Sequence, residues 1–307
     1  MAAKVLMVGS IMIDLILQMK RAPDPSESVL GTTYSNAGGG KGSNSAVAAA
    51  RVGADVTVYG TLGKDANGEA LLGMLADEGI DAQDMVLMDG ANTGMAVILL
   101  DESGQNRIII YTGSNDETPT DGLDALFERK EYDALMLQLE IPVETNVAAF
   151  EKATAAGMVT CLDAGPAQEY PLERFAGLTI LSPNETETRA LVGILPDDED
   201  SCRTAAQALL ERCPSTYVVL KMGEKGCYIL GEGIDQMVPA FSVKALDPTA
   251  AGDCFTGVLV SKFVETGDMV EAARYANAAA GMSVQELGAQ PSLPRKDAVD
   301  AFLAQQG

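Results

Sequence analysis

The stretch Lys244-Ala245-Leu246-Asp247-Pro248-Thr249-Ala250-Ala251-Gly252-Asp253-Cys254-Phe255-Thr256-Gly257 decides which kind of fold this chain can form. It closes a strand-like run over 238–246 and crosses a turn of small residues. It then enters a pattern in which Phe255, Val258, Leu259 and Phe263 recur at helical spacing. A helix start leaves backbone N–H groups without partners, here those of Ala251, Gly252 and Asp253. Such an end attracts an anion, and small side chains let a phosphate approach the backbone. Asp253 adds a carboxylate beside it. Together they suit phosphoryl transfer to a hydroxyl, with amides holding the moving charge and the carboxylate taking the proton. The plainer reading is a strand–helix turn with an acidic residue in its first turn, common in α/β chains.

Composition narrows the chemistry. The chain has 307 residues, 47% of them apolar, so one large α/β domain, or one with an appendage, is expected. No apolar run approaches the ~20 residues of a membrane span. The N-terminus carries no basic segment followed by an apolar one and a cleavage site, so a cytoplasmic chain is expected. Cys161, Cys202, Cys213, Cys227 and Cys254 are scattered and lack metal spacing, which predicts buried thiols in a reducing compartment. With 21 basic and 44 acidic residues the formal charge is −23, which argues against nucleic acid or an anionic membrane as partner. The chain has no histidine. That excludes a His-based triad, His-ligated zinc and a His general base, and leaves carboxylates, Lys or Tyr for acid–base work.

From the N-terminus, 5–9 reads as a buried strand closed by Gly9, with Asp14 near the carboxyl end where open α/β sheets bind ligands. Residues 17–34 turn to Pro23, Pro25 and short β-like pieces. Residues 95–100 and 107–111 flank 101–106 as a hairpin. These two β-rich excursions, 14–35 and 94–111, suggest a small sheet laid as a lid over a core of 1–13, 36–93 and 112–307. Between them Gly38-Gly39-Gly40-Lys41-Gly42-Ser43-Asn44 opens a helix over 45–52, with Lys41 and Asn44 placing polar groups at its entry. It matches neither a Walker A loop nor a full dinucleotide fingerprint. Strands at 56–59, 134–139, 158–162, 178–181, 217–220 and 227–230 alternate with helices at 68–78, 144–156, 185–192 and 203–212. That order means a mostly parallel sheet with helices on both faces. Asp14, Glu140, Asp163, Asn184 and Glu187 all fall at strand ends. Residues 221–226 form a glycine turn between two strands, which is either a plain hairpin or a seat for an adenine.

Gly39-Gly40-Lys41-Gly42-Ser43-Asn44 with 46–54, and Asp247-Pro248-Thr249-Ala250-Ala251-Gly252-Asp253-Cys254-Phe255, resemble the two signatures of the ribokinase branch of the pfkB carbohydrate-kinase family. Gln138-Leu139-Glu140, Pro183-Asn184-Glu185-Thr186-Glu187 and Gly288-Ala289-Gln290-Pro291-Ser292 are similar to further ribokinase stretches. The resemblance implies a ribokinase-like three-layer α/β/α fold with a mostly parallel central sheet and a small β-sheet lid. It implies an ATP-dependent kinase that phosphorylates D-ribose at the 5-hydroxyl. Asp253 would be the base, and the amides of Ala250, Ala251 and Gly252 the anion hole. Asp14, Gly40, Lys41, Asn44 and Glu140 would hold the sugar. Asn184 and Glu187 would act through Mg²⁺, and Lys221, Gly223, Gly226, Gly252 and Asn277 would line the nucleotide. Asp247, Thr249, Ser283, Glu286, Gly288 and Ser292 fall where the resemblance puts an activating K⁺. A homodimer through the lid is implied as well. Two departures bear on the substrate. Met12 stands where many bacterial ribokinases have Asn, and Asp163-Ala164-Gly165-Pro166-Ala167 replaces their Asn-Pro-Ala-Pro-Ala. Another small sugar, deoxyribose, a polyol or a nucleoside therefore competes with ribose, as does a non-catalytic sugar-binding regulator on the same fold. A dinucleotide-dependent oxidoreductase is disfavoured because the glycines do not follow the first strand.

Overall fold

The computed structural model describes residues 2–102 and 106–306. In chain order it begins with β1 (Lys4–Val8), β2 (Met12–Met19), β3 (Gly31–Gly39), α1 (Lys41–Arg51), β4 (Asp55–Tyr59), β5 (Thr61–Gly63) and α2 (Ala66–Asp77). Next come β6 (Val86–Met88), β7 (Gly94–Asp101), β8 (Asn106–Tyr111), α3 (Leu123–Arg129), β9 (Ala134–Leu137), α4 (Val143–Ala155) and β10 (Val159–Asp163). The rest is β11 (Leu178–Ser182), α5 (Glu185–Val192), α6 (Glu199–Arg212), β12 (Ser215–Lys221), β13 (Gly226–Gly231), β14 (Ile234–Pro239), α7 (Ala251–Thr266), α8 (Met269–Ser283) and α9 (Lys296–Gln306).

An eight-stranded sheet in the order β14-β13-β12-β11-β10-β9-β1-β4 forms the middle layer. It is parallel from β4 to β12, and β13 and β14 add an antiparallel edge. Alternation along β1 shows how the layers form. Val5 and Met7 pack with residues of α1, α2, α7, α8 and α9, whereas Leu6 and Val8 pack with α3, α4, α5 and α6. Each buried Val, Leu or Met contributes about 1.5–3 kcal/mol, so either helical layer alone is strongly held. The parallel strands all end at one edge, and Asp163 and Lys221 are the last residues of β10 and β12. No helix among the described residues is long and apolar enough to cross a membrane.

A separate four-stranded sheet, β3-β2-β7-β8, contains both β-rich excursions. Its limits are wider than the sequence implied. Met12 pairs with Gly39 and Ile13 with Gly38, so 12–13 and 36–39 belong to this sheet rather than to the core. Glycine weakens a strand through lost side-chain packing yet keeps its ladder donors and acceptors, and β2 supplies their partners. Part of the expected hairpin loop, 103–105, lies outside the described residues. Two other boundaries move. Of the strand expected over 238–246 only 238–239 forms, as the end of β14, which stops at Pro239 because its partner β13 starts at Gly226, opposite that proline. The helix expected to open at residue 45 begins four residues earlier, at Lys41, behind an N-cap Gly40 with φ 87°.

Candidate active site

Helices α1 and α7 begin side by side. A Cβ on Gly257 would lie 2.2 Å from the Ser45 carbonyl oxygen, so the two backbones touch and only glycine permits that approach. This contact brings the first turn of α1 against the first turn of α7. Lys41 Nζ lies 3.1 Å from Asp253 Oδ1, and Asn44 Nδ2 donates to Asp253 Oδ2 at 2.9 Å. Asp253, the third residue of α7, is 5% exposed. Neither facing away nor sunk beneath the sheet, it stands between two donors of the glycine-led helix.

The N-cap of α7 is Ala250, held at φ 59°, ψ 9°, with no side-chain cap. A non-glycine residue in that region costs about 1–2 kcal/mol, and such strain collects at sites where backbone groups must be aimed. The Ala251 N–H turns back to the Pro248 carbonyl at 3.2 Å. The N–H groups of Gly252 and Asp253 have no protein acceptor among the described residues. They form the open cradle that the stretch 244–257 implied.

Two more carboxylates converge from other elements. Glu140, just past β9, accepts from Ser10 Oγ at 2.6 Å and from the Lys41 amide at 3.1 Å. It thereby caps α1 from outside, which explains why that helix starts earlier than its sequence suggested. Asp14, on β2, is buried and lies over Gly39, where a Cβ would come within 2.1 Å of its Oδ1. Burial, then Asp253, then Glu140 push its pKa up from 3.8 to about 7. Burial likewise raises Glu140, against the pull of Ser10 and Lys41. Burial opposes the charge on Lys41, but Asp253, Asp163, Glu187 and Glu140 outweigh it and hold that ammonium charged. Asp14, Glu140 and Asp253 thus gather around the Lys41 ammonium beside the unpartnered amides of Gly252 and Asp253.

The residues expected to serve the nucleotide fall in two groups. Asn184 caps α5 by accepting from the Glu187 amide at 2.9 Å, and Glu187 returns the bond to the Asn184 amide at 2.7 Å. Glu187 Oε1 lies 4.0 Å from Lys41 Nζ, so this capping box borders the cradle. Gly223 and Gly226 sit in the β12–β13 turn, at φ 52° and 101°. Asn277, on α8, donates to the Val238 carbonyl at 3.0 Å, next to the strand that pairs with Gly226. Lys221 turns its ammonium under α7 to Asp163 Oδ2 at 2.5 Å.

The six residues expected at a cation lie on two adjoining loops. Asp247 Oδ1 accepts from the Thr249 amide and hydroxyl at 3.0 and 2.6 Å, and its Oδ2 accepts from the Gly288 amide at 2.9 Å. Ser283, the last residue of α8, donates its hydroxyl to the Ala280 carbonyl within that helix, the Glu286 amide donates to the Ser283 carbonyl, and Ser292 donates to the Ala289 carbonyl. No group of three or more His, Cys, Asp or Glu among the described residues forms a metal cage. A magnesium ion bound with ATP would be held mainly by phosphate and water, which is how that ion binds. Sequence reasoning missed Ser10, which fixes Glu140, and Thr256, which donates to Asp163 Oδ2 at 2.6 Å. Neither hydroxyl had a pattern to mark it, since each acts only through a residue distant in sequence.

Residues 2–296 match the profile of the pfkB family carbohydrate kinases. The chain belongs to the pfkB family. Among its curated relatives, the ribokinase of Staphylococcus aureus (strain COL) is 35% identical over 303 residues, covering 98% of this chain and 99% of that protein. A bifunctional ribokinase/ribose-5-phosphate isomerase A from Fructilactobacillus sanfranciscensis is 36% identical over 96% of this chain, which spans 55% of that longer protein. The deoxyribokinase of Salmonella typhi is 31% identical over 97% of both. Among solved structures, an Arabidopsis thaliana ribokinase complexed with ribose and ATP superposes with a TM-score of 0.88 at 31% identity, covering 99% of each chain. This pfkB kinase is therefore a ribokinase-like, ATP-dependent sugar kinase that transfers phosphate to an alcohol group.

Proposed function

We propose that the chain phosphorylates D-ribose at its 5-hydroxyl, giving ribose 5-phosphate and ADP. The observation that carries this reading is Asp253, bracketed by Lys41 and Asn44 at the open N-terminus of α7. Asp253 takes the proton of the 5-hydroxyl as that oxygen bonds to the terminal phosphorus of ATP. The bond from phosphorus to the bridging oxygen breaks, and ADP leaves with its electron pair. The amides of Ala250, Gly252 and Asp253 face the charge on the transferring group and Lys41 neutralises part of it, whereas the Ala251 amide is already taken by the Pro248 carbonyl. Asp14, Glu140, Gly40 and Asn44 hold the sugar hydroxyls. The lid sheet, carrying Asp14, excludes water that would compete for the phosphoryl group.

The nucleotide lies along Gly223, Gly226 and Asn277 and reaches the cradle past Lys221. Asn184 and Glu187 would hold Mg²⁺ there, which would neutralise part of the phosphate charge. The loops of Asp247, Thr249, Ser283, Glu286, Gly288 and Ser292 hold K⁺ mainly through backbone carbonyls, because both Asp247 oxygens already order those loops. A homodimer forms through the lid, whose Tyr34, Ile109 and Tyr111 are 71%, 62% and 54% exposed. All five cysteines are free and buried, which suits a cytoplasmic setting.

One observation favours a second sugar. Met12, on the same face of β2 as Asp14, is buried and gives no hydrogen bond to a hydroxyl. 2-Deoxyribose therefore competes with ribose. A coupled ADP-release assay over pentoses, deoxyribose, hexoses and nucleosides, with Mg²⁺ and K⁺, decides between them. The highest kcat/KM is expected with ribose, and release with a hexose or nucleoside alone would overturn the proposal.

A further inference from the structure

A lysine at a helix N-terminus sits against the helix's own partial positive charge. The start of α7 has two. Lys41 reaches Asp253, and Lys221 comes up from the end of β12, so that a Cβ on Gly252 would lie 3.8 Å from its Nζ. Lys221 is 7% exposed, and burying an ammonium there is unfavourable unless it is closely paired. Asp163 provides the pairing. Its Oδ2 accepts from Lys221 Nζ at 2.5 Å and from Thr256 Oγ1 at 2.6 Å, and its Oδ1 accepts from the Gly165 amide at 3.1 Å. Three donors from three elements hold this carboxylate in one orientation. Lys221 has three N–H bonds, and among the described residues only Asp163 takes one at short range; Thr256 Oγ1 lies 3.5 Å away. A donor is left beside the amide of Gly252.

A fold that needed only stability would keep a second buried cation away from a positive helix end. Asp253, Asp163, Glu187 and Glu140 offset the two ammoniums, but the amides of Gly252 and Asp253 have no acceptor among the described residues, and an anion held by them would also meet Lys41 and Lys221. We infer that Lys221 supplies a second fixed positive charge to the phosphoryl group in flight, and that Asp163 is the positioning residue that aims it. The inference rests on the kinase reading above and deepens it: α7, Lys41 and Lys221 together enclose the charge that grows on the transferring group.

The test uses the full chain with Lys221→Met, Asp163→Asn and the double variant, following turnover, sugar KM and melting. Lys221→Met should lower kcat about 10²-fold with sugar KM within about threefold. Asp163→Asn should lower it about tenfold. The double variant leaves no orphaned buried charge, so it should melt near the wild type yet turn over no faster than Lys221→Met, because the two residues act as one unit. The thermal shift from Mg²⁺-ADP with aluminium fluoride should fall to that of Mg²⁺-ADP alone in both Lys221 variants. A well-folded double variant with kcat within about threefold of wild type would overturn the inference while leaving the kinase reading intact. A wild type that releases no ADP with any acceptor removes both.

Discussion

The side-chain amide of Asn44 donates to Asp253 Oδ2 at 2.9 Å across 209 residues of sequence. With Lys41 on the other oxygen, both lobes of the carboxylate are oriented by α1, one turn from the glycine run. The proposed base is thus aimed by the helix that carries Lys41 and Asn44, two of the residues proposed to hold the sugar, and any shift of that helix moves both.

Asp253→Asn keeps the shape of the side chain and the bond geometry available to Asn44 while removing the base. Turnover is expected to fall at least ~10²-fold with melting within a few degrees of wild type. The ADP-release assay measures this directly, and near-normal turnover would end the role of Asp253 as base.

Asp14 sets a pH dependence. Its folded pKa, about 7 against an ordinary 3.8, means that the fold favours the protonated acid. The associated stability is fully present below the ordinary value, declines as pH rises, and is lost above about 7. Asp14→Asn should therefore melt higher than wild type at pH 8, and the gap should close toward pH 5. Its sugar KM should rise about 10–100-fold, since a carboxyl partner for a sugar hydroxyl is gone. Parallel melting curves of the two proteins from pH 5 to 8 would contradict the assignment.

Ala250 stores strain that glycine would release. Its left-handed backbone costs about 1–2 kcal/mol, against about 0.4–1 kcal/mol lost as glycine loosens the unfolded chain. Ala250→Gly should therefore stabilise by about 0.5–1 kcal/mol, read in urea melts as a higher midpoint. A lower midpoint would mean that Ala250 is not strained in solution.

Asp247 ties the loop before α7 to the loop after α8 through Thr249 and Gly288. Asp247→Ala should cost about 1–3 kcal/mol, as donors lose their acceptor. In the wild type, activity should drop when K⁺ is omitted. Equal rates in K⁺, Na⁺ and Cs⁺ would remove the cation from these loops.

Much of this was legible in the sequence because it is written in local pattern. Phe255, Val258 and Leu259 announced α7, and the small residues before them announced an uncapped start. Asn184 and Glu187 are spaced as a capping box, which is what they form. Other features were not local. Lys41 opens its helix because Glu140, 99 residues away, accepts from its amide. Strand β14 stops at Pro239 because its partner has ended. The ammonium of Lys221 lies under α7 because Asp163, 58 residues away, accepts from it.

The sequence by itself determined the layered α/β plan, the second sheet, the absence of histidine chemistry and the cradle around Gly252, because periodicity, composition and turn residues act over a few positions. Tertiary structure alone decided which groups meet there. Asp14, Lys41, Glu140, Asp163, Lys221 and Asp253 come from separate elements, and their charges and protonation depend on distances and burial that exist only once the strands have chosen their order.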